Sequence, residues 1–246
     1  MSHVKVKQEL DLEEPYLVEG LLGVGLVGKI AADHMVEEFD MSYYAACECD
    51  GLPDVATFDE GTYDVNSPVR IFADEENDLL VLQSDVPVSP TKADCFAGCL
   101  TDWLDEIGAT PVYLSGLPVQ RDADEIPSVY GVSTDDPKIL EEHEISTPEQ
   151  DGVISGPTGA LLNEANESDV YALGLITETD PQFPDPAASR VLLKNGIEPI
   201  TGVKVDTDEL VEKAEQITEA KERLAKQMQQ ATDDESSRAA PVGMYQ

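Results

Sequence analysis

Apolar residues along the chain come in short runs parted by acids, prolines and glycines. The runs alternate between a strand-like and a helix-like period. Residues 16–22, Tyr-Leu-Val-Glu-Gly-Leu-Leu, read as a strand. The loop Gly23-Val24-Gly25 follows, and residues 26–39 read as a helix with Val27, Ile30 and His34 on one face. Residues 43–49 are strand-like. Residues 69–72 and 79–82 are two apolar runs around Asp74-Glu75-Glu76-Asn77-Asp78, the pattern of a hairpin. Residues 92–107 predict a helix ending at Gly108, a C-cap. Strands are expected at 111–117 and 129–132, with a short helix at 138–143. A helix over 158–166, a buried strand over 170–176 and a helix near 186–194 complete the series. Strands alternating with helices predict an α/β fold, one sheet with helices on both faces, over residues 1–205.

A different pattern starts at Asp206. With Glu209 three residues later it resembles a capping box, and no helix breaker occurs from there to Ala231. Leu210, Ile217 and Leu224 repeat every seven residues, with Ala214 and Met228 between, and Lys221 interrupts the second row. Residues 206–231 therefore predict a long amphipathic helix. It serves either as a coiled-coil or docking seam or as a helix packed on its own domain. Residues 232–246 are polar and acidic, without apolar periodicity, and are expected to form a flexible tail.

Charge changes the picture. Among 246 residues, 15 Lys+Arg stand against 51 Asp+Glu, a net charge of −36. Binding to nucleic acid or to an anionic membrane needs clustered cations, and this balance excludes both partner classes. The acids are spread along the chain among clear apolar segments rather than gathered in one patch. Self-repulsion of this size is screened by salt, so the composition is read as adaptation to a high-salt, halophilic cytoplasm. No run approaches the roughly 18 apolar residues of a membrane span, and the first residues lack the apolar core of a secretion signal. A soluble cytoplasmic protein is expected.

Candidate chemistry is sparse. Gly23-Val24-Gly25-Leu26-Val27-Gly28 matches G-x-G-x-x-G, and residues 23–29, ending in Lys29, match G-x-x-x-x-G-K. A dinucleotide reading would set phosphates at the helix N-terminus, with Glu48 or Asp50 near the ribose. A P-loop reading would use Lys29, but Ile30 stands where Mg²⁺ needs a hydroxyl. The third reading is structural: Gly23, Gly25 and Gly28 permit a tight turn and close helix–sheet packing. His3, His34 and His143 form no nucleophilic or metal-binding pattern, so neither catalytic residues nor a metal site are expected. Cys47, Cys49, Cys95 and Cys99 lack zinc spacing and are read as reduced, buried side chains, with a thiolate metal site as the alternative. The ending Met244-Tyr245-Gln246 suits capture in a pocket. The apolar side chain would fill a slot, the phenol would pack and hydrogen-bond, and the terminal carboxylate would meet a cation. An ordinary frayed terminus is the alternative.

Residues 17–34, Leu-Val-Glu-Gly-Leu-Leu-Gly-Val-Gly-Leu-Val-Gly-Lys-Ile-Ala-Ala-Asp-His, resemble the opening of the proteasome assembly chaperone family of archaea and actinobacteria. Residues 154–162 resemble the family's second glycine segment. Pro184-Asp185-Pro186-Ala187-Ala188 resembles its Pro-Asp-Pro-x-Ala-Ala turn, one residue shorter. The resemblance covers roughly residues 15–200. It implies a single domain similar to the purine nucleoside phosphorylase-like fold, with a mixed sheet between helices and a glycine loop not known as a nucleotide site. It also implies an ATP-independent assembly chaperone or activator, a homo-oligomer without cofactor, whose Met244, Tyr245 and Gln246 bind the α subunits of the core proteasome. The competing expectations are an enzyme for a nucleoside-like ligand at Gly23–Gly28 and a dinucleotide-binding regulator.

Overall fold

The computed structural model describes residues 3–58, 61, 63–120 and 125–213. Its strands are β1 (His3–Val6), β2 (Tyr16–Gly20), β3 (Ser42–Glu48), β4 (Val69–Asp74), β5 (Leu79–Ser84), β6 (Thr110–Pro118), β7 (Val129–Ser133) and β8 (Leu173–Thr179). The helices are α1 (Val27–Glu38), α2 (Ala93–Glu106), α3 (Lys138–Glu142), α4 (Gly156–Glu167), α5 (Pro186–Leu192) and α6 (Glu198–Thr201). One π-helical turn, Leu193–Ile197, joins the last two, and Gly202 ends α6 at φ 74°. Residues 208–213 open a further helix. No helix among the described residues is long and apolar enough to cross a membrane.

The eight strands form one mixed sheet in the order β1-β3-β4-β5-β2-β6-β8-β7. The centre is parallel, from β5 through β2 and β6 to β8, and both flanks are antiparallel. The central strands are buried on both faces, which explains their near-continuous apolar runs. Leu17, Leu80 and Leu82 face a core completed by Phe96, Leu100 and Leu104 of α2 and Leu161 of α4. Their neighbours Val18, Leu79 and Val81 face the opposite core, with Ala31 and Met35 of α1 and Leu192, Leu193 and Ile197 beyond. The fold is thus a single α/β domain, a mixed sheet flanked by helices on both faces.

Several boundaries move. The last central strand runs Leu173–Thr179 rather than 170–176, because Ala172 and Thr134 are already exchanging hydrogen bonds at the sheet end. β1 was not expected from the sequence; it pairs His3 with Glu48 through Val6 with Ala45 at the sheet edge. Thr207, not Asp206, takes the N-cap place of the last helix, its carbonyl accepting from Leu210 and Val211. Asp206 instead accepts the Asp208 N–H at 2.9 Å. The expected 206–231 helix is described only to residue 213, and Ile217, Leu224 and the 232–246 tail with Met244, Tyr245 and Gln246 lie outside the described residues.

The cysteine expectation is corrected. Cys49 and Cys99 form a disulfide across a sequence separation of 50, Cys47 is a buried thiol and Cys95 is exposed. The buried stripe of α2 runs through Ala93, Phe96, Ala97, Leu100 and Leu104, which leaves Cys95 on the outer side and Cys99 at the stripe's margin. There Cys99 meets the residue that follows β3.

Candidate functional site

The parallel strands deliver their carboxyl ends to one end of the sheet. There the chain from β2 turns over one face into α1, while α2 crosses the other face from β5 to β6. In open α/β sheets such a divergence marks the usual place for a ligand. Here the opening is filled by the chain itself. Gly25 sits at φ 64°, and a Cβ on it would lie 2.0 Å from Thr179 Oγ1. A Cβ on Gly20 would lie 2.3 Å from that of Ala32 and 2.6 Å from the Leu82 carbonyl oxygen, and one on Gly28 would lie 3.1 Å from Leu114 Cβ. Gly23 is extended and open, with nothing within 4 Å of such a position. Gly20, Gly25 and Gly28 therefore let α1 and its leading turn press onto the sheet.

The turn at 184–188 closes on the same loop. Asp185 donates its N–H to the Gly25 carbonyl at 2.9 Å. Its carboxylate caps α5 by accepting the Ala188 N–H at 3.0 Å, and also accepts from Thr179 Oγ1 at 3.1 Å and the Asp180 N–H at 3.0 Å. Ser189 Oγ donates to the Val27 carbonyl at 3.1 Å. An anion seeking the first turn of α1 would meet the Asp185 carboxylate beside it. Lys29, the phosphate ligand of a P-loop reading, is otherwise engaged. Its Nζ lies 2.7 and 2.8 Å from the Asp33 oxygens and 3.3 Å from Asp85 Oδ1. Gln83 bonds Asp33, and Arg70 bonds both Gln83 and Asp85, so Lys29, Asp33, Gln83, Arg70 and Asp85 close a ring tying α1 to β4 and β5. Glu48, the candidate ribose ligand, faces His3 and Lys5 of β1 instead.

A carboxylate not singled out in the sequence lies deepest. Glu19, 1% exposed, is the penultimate residue of β2 and accepts the Leu21 N–H at 2.8 Å and the Leu114 N–H at 2.9 Å. Thr158 Oγ1, in the first turn of α4, lies 3.3 Å from Glu19 Oε2. Burial pushes the Glu19 carboxyl up to about 7, and the three donors only partly oppose it. Burial also raises the neighbouring Tyr113 hydroxyl, and the Glu19 charge adds to that rise. The signal available was one acid inside the apolar run Leu17-Val18-Glu19-Gly20-Leu21-Leu22.

Two shallow depressions lie nearby, and Glu19 lines neither. One, of about 480 Å³, is bounded by the Gly23–Leu26 turn, Pro118, Phe183 and Pro184. The other, about 350 Å³, lies between Ile30, His34, Glu37, Pro186, Leu210 and Lys213. His34 is 4% exposed. Its Nε2–H donates to the Asp206 carbonyl, and Nδ1 lies 3.9 Å from Glu209 Oε2. The described residues hold no group of three or more His, Cys, Asp or Glu side chains fit for a metal ion.

The three segments singled out by resemblance thus pack together around the carboxyl ends of the parallel strands: the glycine loop, the 154–162 segment through Thr158, and the 184–188 turn through Asp185. Known proteins are similar to this chain over most of its length. Two uncharacterized proteins of Methanocaldococcus jannaschii are 27% and 30% identical, each match covering 90% of this chain and 90% and 87% of theirs. The crystal structure of Pyrococcus furiosus PbaA, an archaeal homologue of proteasome-assembly chaperone, superposes with a TM-score of 0.79 at 26% identity, covering 95% of this chain and 96% of that one. Pyrococcus furiosus PbaB, an archaeal proteasome activator, shares the fold with a TM-score of 0.74 at 21% identity over 91% of this chain and 98% of that one. Residues 17–225 match the PAC2 family, and the chain belongs to that family.

Proposed function

We propose that the protein is an ATP-independent proteasome assembly chaperone or activator, working as a homo-oligomer that docks its C-terminal residues on the α-ring of the core proteasome. The observation that carries this reading is family membership over 17–225, joined to 26% identity across nearly the full length with an archaeal homologue of proteasome-assembly chaperone. The packing of the glycine loop supports a binding protein over an enzyme: the loop is closed by Thr179 and Asp185, and Lys29 is held by carboxylates. The tail supplies the docking group. Met244 fills an apolar slot, Tyr245 buries its ring and bonds through its hydroxyl, and Gln246 presents its terminal carboxylate to a partner lysine. Several copies in a homo-oligomer add avidity to contacts that are weak singly.

The test is a pull-down and a peptide-hydrolysis assay with the cognate core proteasome in molar salt. Intact protein should bind. Tyr245→Ala, and a chain cut before Met244, should lose binding while keeping the mass and melting temperature of the intact protein. Equal binding by intact and truncated protein sinks tail docking; no binding by the intact protein sinks the proteasome reading.

A further inference from the structure

Between β3 and β4 the chain makes a long excursion, residues 49–68, and of its described residues between 53 and 65 all but the half-buried Thr57 are exposed. Val55, Phe58, Tyr63 and Val65 are all exposed. Inside it Thr57 pairs with Asn66, at 3.0 and 2.9 Å, and Leu52 and Val55 donate their N–H groups locally, to the Cys49 and Pro53 carbonyls. Its root, by contrast, is fixed to α2 and the turn leading into it in three ways. Ser89 donates its N–H to the Gly51 carbonyl at 2.9 Å. Gly51, at φ 107°, comes so close to α2 that a Cβ would lie 2.7 Å from the Lys92 carbonyl oxygen. Cys49 is joined covalently to Cys99. A segment with few buried contacts takes its order from where its ends are held.

We propose that the Cys49–Cys99 disulfide is a reducible latch that holds the root of the 49–68 excursion on α2, so that thiol chemistry controls how firmly this exposed apolar segment is presented. The two sulfurs differ in access. Cys49 is buried and Cys99 is half-buried at the margin of α2, so a reductant from solvent enters at Cys99. A dithiol of the small-molecule or thioredoxin class supplies the electrons. One thiolate attacks Cys99 Sγ, the Cys49–Cys99 bond breaks, and Cys49 leaves as a thiolate that takes a proton. The second thiol of the reductant then displaces Cys99 Sγ, which is protonated in turn. The reductant ends as its own disulfide, and the protein gains two electrons and two protons. Cys47 stays out of the exchange, since burial pushes its thiol up to about 12 and leaves it protonated. Cys95, exposed one turn before Cys99, provides an internal marker.

The experiment uses the full chain in molar salt, purified under mildly acidic conditions so that no thiol reshuffles before labelling. Without reductant, native protein should label at Cys95 alone, and denatured protein at Cys95 and Cys47. After treatment with a dithiol such as dithiothreitol, native protein should label at Cys99 as well. Closing a loop of about 50 residues predicts a melting temperature lower by on the order of 10 °C on reduction. Chymotryptic cutting at Phe58 or Tyr63 should accelerate over the same titration. Cys95→Ser should remove its own label and change nothing else. The Cys49→Ser, Cys99→Ser double variant should match reduced wild type; the wild-type titration carries the test if that variant does not fold. Four labelled thiols in denatured, unreduced protein overturn the proposal. So does a disulfide whose reduction moves neither melting nor cleavage.

Discussion

Thr158 Oγ1 lies 3.3 Å from Glu19 Oε2 across 139 residues of sequence, and this one contact joins the two glycine segments of the chain. Glu19 is the penultimate residue of the central strand β2, and Thr158 sits in the first turn of α4. Because the carboxylate also takes N–H groups from Leu21 and Leu114, it sews β2, β6 and α4 together at the carboxyl ends of the strands.

That position makes Glu19 a titrating element of stability. Its folded pKa, about 7, stands above the ordinary 4.5 because burial disfavours the anion. The folded state therefore holds the proton over a range in which the unfolded chain has released it. The associated stability is fully present below about pH 4.5 and is lost as pH rises through 7, on the order of 3 kcal/mol in all. Glu19→Gln should remove this component. The difference in melting temperature between wild type and variant should change across pH 4.5–7 and be flat above 8. A difference that is constant over the whole range would refute the assignment. Glu19→Ala should be worse at every pH, since two buried N–H groups lose their acceptor at about 1–3 kcal/mol each.

The glycines should separate cleanly by mutation. Gly25→Ala combines a left-handed backbone with a clash against Thr179, and so also disturbs the Thr179–Asp185 hydrogen bond. The backbone alone costs roughly 1–2 kcal/mol, and the clash adds to it. Gly20→Ala, against Ala32 and the Leu82 carbonyl, should be as harmful. Gly23→Ala should stay within about 0.5 kcal/mol of wild type, because its surroundings are open and its backbone extended. Urea unfolding of the three variants checks the ranking. A Gly23 variant as damaged as the Gly25 variant would show that the loop serves more than packing.

The central fold could be read from the sequence because its strands are buried on both faces. Runs such as Leu79-Leu80-Val81-Leu82 have no other stable place, and Gly108 closes α2 where a left-handed residue was expected, at φ 67°. The misses have a common physical cause, tertiary contact. His3–Val6 is too short and too exposed to declare itself, and becomes a strand only because β3 offers an edge. Cys49 and Cys99 pair because the end of β3 lies beside the middle of α2, which no spacing rule encodes. Glu19 was hidden inside an apolar run, and its partners Leu114 and Thr158 lie far along the chain. Lys29 matched a phosphate motif, but its use is decided by Asp33, one helical turn away, and Asp85 on the neighbouring strand end.

Salt should stabilise the protein. The charge of −36 is spread over the whole chain, so folding brings like charges together on every face. Screening lengths fall from about 30 Å at 0.01 M to about 3 Å at 1 M, which removes most of that repulsion. Thermal melts followed by circular dichroism should therefore rise steadily from dilute buffer to molar KCl. An unchanged melting temperature would sink the halophilic reading of the composition.

The helix that opens at 208 should divide into an anchoring start and a docking continuation. Leu210 is 1% exposed and belongs to the core beside α1 and α5. Just ahead of it, His34 Nε2–H holds the Asp206 carbonyl, Lys194 Nζ holds the Val205 carbonyl at 2.6 Å, and Glu198 accepts the Val205 N–H at 2.7 Å. Removing this anchor should loosen the segment locally. In His34→Ala, amide exchange at 206–211 and tryptic cutting after Lys204 or Lys213 should speed up, while the Glu19 end of the sheet keeps its protection. Leu210→Asp should lower global stability by several kcal/mol, because it places a charge in a packed core. Ile217 and Leu224 continue the seven-residue row, and the proposed association assigns them to a contact between subunits or with the partner. Ile217→Asp combined with Leu224→Asp should then lower the mass seen by light scattering, or the affinity for the core proteasome, without moving the melting temperature of the sheet domain. If mass and affinity are unchanged and the melting temperature falls as it does for Leu210→Asp, the whole row packs on its own domain and the docking role of the helix is lost.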